Sequence, residues 1–134
     1  MKTLHALALT LIITSLIGCS SQSDDSFLGC YAFKKGGRSE LIIERKEGKF
    51  FVSIRQGDGW SDIDGLHVGT EMELSQLFGS DSRKINASLV ADQGPFGIFY
   101  VKEGEVYGGK KAQSDYIAFL MNRGGEVYKV KCKN

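Results

Sequence analysis

Histidine, tryptophan and proline are scarce in this chain: 134 residues hold two histidines, one tryptophan and one proline. Only His67 lies beyond the apolar N-terminal segment. A catalytic zinc site takes three protein ligands, commonly two or more of them histidine, so a histidine-built metal centre is not expected. A hydrolytic triad has only His67 to draw on, and no Gly-x-Ser-x-Gly elbow marks a nucleophile. The phosphate-cradling loop that ends in Gly-Lys-Ser/Thr is missing too. Charge of one sign is not in excess, with 17 basic and 16 acidic residues. A balanced chain without a long basic run gives no reason to expect a nucleic-acid partner. Residues 6–17 (ALALTLIITSLI) are free of charge but number 12, short of the roughly 20 that span a bilayer.

What is present near the N-terminus is more specific. Met1-Lys2 supplies a basic start, the apolar run follows, and Leu16-Ile17-Gly18-Cys19 closes it before a polar string. The order of basic, apolar and small residues is that of a secretory signal. Leu16-Ile17-Gly18-Cys19 resembles the lipobox of bacterial lipoproteins. That resemblance implies a diacylglyceryl group on the Cys19 thiol, cleavage before Cys19 and acylation of the new amino terminus. Each buried lipid methylene contributes about 0.8 kcal/mol, so several chains hold a soluble domain at a membrane. Ser20 and Ser21 stand where inner-membrane lipoproteins of this type carry an aspartate. The resemblance therefore implies a cell-envelope protein sorted to the outer membrane and facing the periplasm.

Residues 1–18 are then a signal peptide, 19–26 a lipidated cysteine and polar tether, and 27–134 a single domain. Without Lys2 the mature chain balances 16 basic against 16 acidic residues. Three cysteines divide into Cys19 for lipid and a remaining pair, Cys30 and Cys132. In an oxidising compartment that pair is expected to form a disulfide. The other reading is two free buried thiols, since cysteine also packs well in cores.

The domain reads as β-strands and turns. In SELIIERKEGKFFVSIRQ, Leu41 and Ile43 share one face, and Phe50, Val52 and Ile54 share another, around a turn at Lys46-Glu47-Gly48. A second hairpin is expected in FGIFYVKEGEVYGG, turning at residues 102–104, and a third in DYIAFLMNRGGEVYKVKC, turning at 123–125. FLGCYAF at 27–33 should be the first strand and KINASLVA at 84–91 another. In the last strand Tyr128, Val130 and Cys132 are expected to point inward, opposite Lys129 and Lys131. Thr70 with Glu73 fits a capping box, and Leu74, Leu77 and Phe78 fit a helical stripe, so one short helix is expected there. Seven or eight sequential strands with one helix predict an all-β fold, a small antiparallel meander barrel or a sandwich. FLGCY also resembles the opening of lipocalin-like barrels, where a glycine and an aromatic begin the first strand.

One stretch stands out as a site. WSDIDGLHVGTE places Asp62, Asp64, Gly65 and Glu71 at calcium-loop spacing, but Trp60 occupies the first ligand position and the preceding segment reads as a strand. No metal and no cofactor are expected. The segment is instead a candidate partner-binding loop of Asp58, Trp60, Asp62 and Asp64, because exposed tryptophan flanked by charge resembles an interface hot spot. It could equally fold back over one end of the core. The many aromatics either fill a small barrel or line a cavity. The expected function is thus a non-enzymatic, membrane-anchored module that binds an envelope or exogenous protein, as inhibitors and immunity proteins do. The alternative is a lipocalin-like carrier of a small apolar ligand. An enzyme built on His67 would need a cleft that sets it against a carboxylate and a hydroxyl.

Overall fold

The computed structural model describes residues 24–133. Cys19 and the signal segment lie outside the described residues. After a 3-10 turn at Asp24–Phe27 the chain forms β1 (Gly29–Ala32), β2 (Leu41–Lys46), β3 (Lys49–Gln56) and β4 (Gly59–Val68). Helix α1 (Glu71–Phe78) and a second 3-10 turn (Gly79–Lys84) lead to β5 (Ala87–Ala91) and β6 (Phe96–Tyr100). A side excursion, β7 (Val106–Tyr107) and β8 (Lys110–Lys111), precedes β9 (Tyr116–Leu120) and β10 (Arg123–Val130). Eight of the strands close an antiparallel barrel in the order β1-β10-β9-β6-β5-β4-β3-β2. The protein is therefore a barrel and not a sandwich, and closure removes the free edges that an open sheet would expose.

Period-two alternation fixes which residues go inside. Tyr31, Leu41, Ile43, Val52, Leu89, Ile98, Ala118 and Val127 are all fully or nearly fully buried in one interior cluster. Phe27 plugs the mouth below β1, and its carbonyl accepts the Tyr31 hydroxyl at 2.6 Å. The phenol is thus buried with its polar atom satisfied, and burial pushes its pKa far above the usual value. Ser26 on the same turn accepts from Tyr116 Oη at 3.2 Å and Lys129 Nζ at 2.5 Å, and Asp25 pairs with Arg45 at 2.5 Å. The chain's contacts with the barrel therefore begin before Phe27.

The first hairpin forms where expected. Lys46 pairs with Lys49 across Glu47 and Gly48, both of positive φ (51° and 78°), the two-residue turn that matches strand twist. The other two hairpins differ from expectation. β6 does not pair with residues 105–109, which directly follow the expected turn; its neighbours are β5 and β9, and β7 turns back on β8 through Gly108 and Gly109. The Tyr107 hydroxyl pins this excursion to the carbonyls of Val101 (2.5 Å) and Lys84 (2.9 Å). The last hairpin turns at Met121-Asn122, because Leu120 pairs with Arg123, and Gly124 and Gly125 lie within β10. Gly124 is needed there as a bare platform, since an added Cβ would strike the Phe119 ring.

The faces of β10 also differ from expectation. Val127 is the interior residue, and Lys129 shares its side of the strand, its ammonium 5.8 and 5.7 Å from the rings of Tyr31 and Tyr116. Tyr128 and Val130 therefore face outward. An alkyl stem can line aromatic rings while its charge leaves toward solvent, so lysine marks no outward face by itself. Cys30, between the inward Tyr31 and the glycine at 29, faces outward as well, yet it is fully buried. The tail from residue 131 lies over it, and Cys30 and Cys132 are disulfide-bonded with Cα atoms 5.2 Å apart. The bond spans the seam where β1 meets β10, at the pairing of Cys30 with Val130.

Helix α1 begins where the capping box predicts. Thr70 Oγ1 accepts from the Glu73 amide at 3.2 Å, and the Thr70 amide donates to Glu73 Oε2 at 2.8 Å. The helix lies on the outer wall, where Phe78 meets Phe99 edge-on at 4.7 Å and Phe119 at 5.8 Å. None of its residues is fully buried.

Candidate functional site

Residues 57–65 are not a loop. Gly57 and Asp58 make the turn between β3 and β4, and the rest is strand paired to β3 through a register shift at Val52/Ser53. The four candidate residues consequently separate. Asp62 accepts the Ser53 hydroxyl at 2.6 Å and lies 3.7 Å from Lys46, and these partners hold its carboxyl below the usual range. Asp64 accepts the backbone amides of Gln93 (3.0 Å) and Gly94 (2.7 Å), fastening the turn between β5 and β6. Both carboxylates serve the fold and do not converge on a common point.

Asp58 and Trp60 remain at the barrel end. Arg55, opposite Trp60 in the ladder, lays its guanidinium 4.4 Å from the indole centre. Its Nε donates to the Ser39 carbonyl at 2.8 Å and its Nη2 to the Lys133 carbonyl at 3.1 Å. Trp60 is thus half-buried, flanked by a fixed arginine, and neither a core plug nor a free loop side chain. Arg38 reaches across to the Gly57 carbonyl at 3.2 Å and to Asp58 at 3.7 Å. A second arginine–aromatic pair sits beside the first: Arg123 stacks 3.9 Å over Phe33 and lies 3.6 Å from Glu40. Sequence reasoning missed Phe33, Arg38, Arg55 and Arg123 as a group. The only local signal was the run Lys34-Lys35-Gly36-Gly37-Arg38; Arg55 comes from β3 and Arg123 from β10.

His67 lies elsewhere, on the outer wall beside α1. Its Nδ1 is 2.8 Å from Asp92 Oδ1, and its Nε2 is 3.0 Å from Glu73 Oε1. Lys49 Nζ completes the row at 2.5 Å from Asp92. A neutral imidazole has one N–H and one lone pair, so only the protonated ring donates to both carboxylates. Asp92 first, then Glu73, raise the His67 pKa. Among the described residues the hydrogen-bond partners of the histidine side chain are these two carboxylates, which clasp the wall to the helix. Next to it, α1 and the wall enclose an outward groove of about 510 Å³, lined by Leu77, Val90, Pro95, Phe96, Phe119 and Met121 among others.

The chain matches no protein-family model, no curated protein and no solved structure. The class defined by fold and site is a small closed β-barrel with a charged aromatic rim.

Proposed function

We propose that this protein is a lipid-anchored envelope lipoprotein whose barrel is a non-enzymatic binding module for another protein. Cys19 carries the anchor in this reading, and the domain stands off the outer membrane on its periplasmic side. The observation that carries the reading is the filled interior. Phe27, Tyr31, Leu41, Ile43, Val52 and Ile98 meet in one cluster, each at most 1% exposed. A barrel of eight strands is just wide enough to be filled by its own side chains, and here they fill it. That weighs against the lipocalin-like carrier, which needs interior room for its ligand. Function is left to the outer surface, where the Trp60 rim has the aromatic and arginine content of protein interfaces.

The test is affinity capture with the full, lipidated chain from detergent-solubilised envelopes, beside a Trp60→Ala variant. A protein held in stoichiometric amount by the wild type, and lost with Trp60→Ala at nearly unchanged melting temperature, is the expected outcome. Recovery of only a small apolar molecule bound to the wild type would replace this reading with the carrier.

A further inference from the structure

The geometry points to the barrel end bearing Trp60 as the docking face, and to an acidic polypeptide segment as what it takes; this rests on the protein-binding reading above. In a closed antiparallel meander, alternate connections fall at alternate ends. The β1–β2, β3–β4, β5–β6 and β9–β10 connections share one end, and the Asp24–Phe27 turn sits at the other. The charges of the domain are not spread evenly between these ends. Three contiguous clefts of about 460, 370 and 450 Å³ at the first end are lined by Lys34, Arg38, Arg55, Arg123, Lys131 and Lys133. Only two carboxylates, Glu40 and Glu126, line them as well. Asp58 stands beside Arg38 at the same end, so six basic residues face three carboxylates there, and of the 16 basic and 16 acidic residues after Lys2 ten basic and thirteen acidic lie elsewhere. A neutral chain thus carries a positive end.

The chemistry of that end favours carboxylates on a polypeptide over other anions. Arg55 and Arg123 stand 4.4 and 3.9 Å from the ring centres of Trp60 and Phe33, and Arg55 is held further by the Ser39 and Lys133 carbonyls, so both cations are partly ordered before any ligand arrives. A planar guanidinium matches a carboxylate as a two-point fork, and an ordered one loses less freedom on binding. Half-buried aromatic faces beside the cations suit the apolar parts of a peptide. The existing carboxylate contacts are loose, Arg38–Asp58 at 3.7 Å and Arg123–Glu40 at 3.6 Å, both at exposed side chains. Such pairs contribute little, so exchanging them for an incoming acid costs little. The face also points away from the chain's N-terminal side, where the anchor holds the membrane.

Trp60 is the sole tryptophan and sits in this face, so its emission reports binding directly. The probe is poly-L-glutamate titrated into the intact protein at low ionic strength. We expect saturable binding that weakens with added salt. The exposed triple variant Lys34→Ser/Arg38→Ser/Lys131→Ser should bind about tenfold more weakly, at three exposed pairs of modest strength each. The matched control Lys102→Ser/Lys110→Ser/Lys111→Ser removes equal charge from the opposite end and should bind like wild type. Equal weakening in both variants, no binding by the wild type, or equally tight binding to anionic phospholipid vesicles would overturn the assignment. Capture from envelopes separates the two levels. A partner held equally by wild type and the Lys34/Arg38/Lys131 variant moves the docking face elsewhere and leaves the protein-binding reading intact. No partner on the wild type sinks both.

Discussion

Breaking the bond between Cys30 and Cys132 should cost this domain much of its stability. The two cysteines are separated by 102 residues, so the cross-link closes nearly the whole domain into one loop. In the chain-entropy account a loop of about 100 residues is worth about 4.7 kcal/mol, by restricting the unfolded chain. A domain of this size has a margin of about 5–15 kcal/mol. The seam it staples is short, because β1 has four residues and pairs with β10 at three positions. Each kcal/mol moves the melting temperature of a domain near 100 residues by about 4–8 °C, so reduction should lower it by roughly 20 °C or more. Reduced wild type keeps both sulfur atoms and isolates the loop effect. Cys30→Ala adds the loss of a fully buried side chain and should melt lower still. Calorimetry with and without reductant, paired with thiol titration of the unfolded protein, makes the measurement. A drop of less than about 5 °C on verified reduction would refute the reasoning, because the unfolded chain would then not be the state the bond restrains.

The His67 clasp should make stability fall at alkaline pH. A histidine pKa raised in the folded state gives stability that is full below its unfolded value of about 6.5 and is lost as pH rises through the folded value. Melting curves from pH 5 to 9 should show this slope in wild type and lose it in His67→Gln; an unchanged slope would clear His67 of the role. Gly97→Ala should destabilise by about 1–3 kcal/mol in urea unfolding, since a Cβ there lies 2.6 Å from the buried Phe99 ring, and a neutral result would show that the ring yields. Cys19→Ser should leave membranes or retain its leader on fractionation and gel migration; wild-type behaviour in both would end the lipoprotein reading.

What the sequence made legible was local. Leu41, Ile43, Phe50 and Val52 alternate within one hairpin, and Glu47-Gly48 carries its own turn chemistry. Thr70 and Glu73 lie within one turn of each other, so the capping box needed no tertiary context. The barrel followed from counting such elements, while its closure against a sandwich depended on the β1–β10 pairing. Lys129 hid the inner face of β10 because its stem and its charge obey opposite rules. Gly124-Gly125 looked like a turn because a glycine under an aromatic ring is indistinguishable, in sequence, from one with positive φ. The rim escaped notice because its residues come from three distant segments: Phe33 and Arg38 from the β1–β2 connection, Arg55 from β3 and Arg123 from β10. Likewise His67 reaches Asp92 across 25 residues of chain, a distance no motif spans.

The seam has a consequence in time as well as in space. β1 is made first and its partner β10 last, so throughout synthesis the barrel lacks its closing strand. Until residue 130 emerges, the nascent sheet ends in open edges that invite pairing with other chains. Closing contacts of such sequence separation form slowly. Cys132 follows β10 in the chain, so the disulfide cannot form until the closing strand itself has been made. A chain truncated before β10 would therefore be an aggregation hazard rather than a smaller domain.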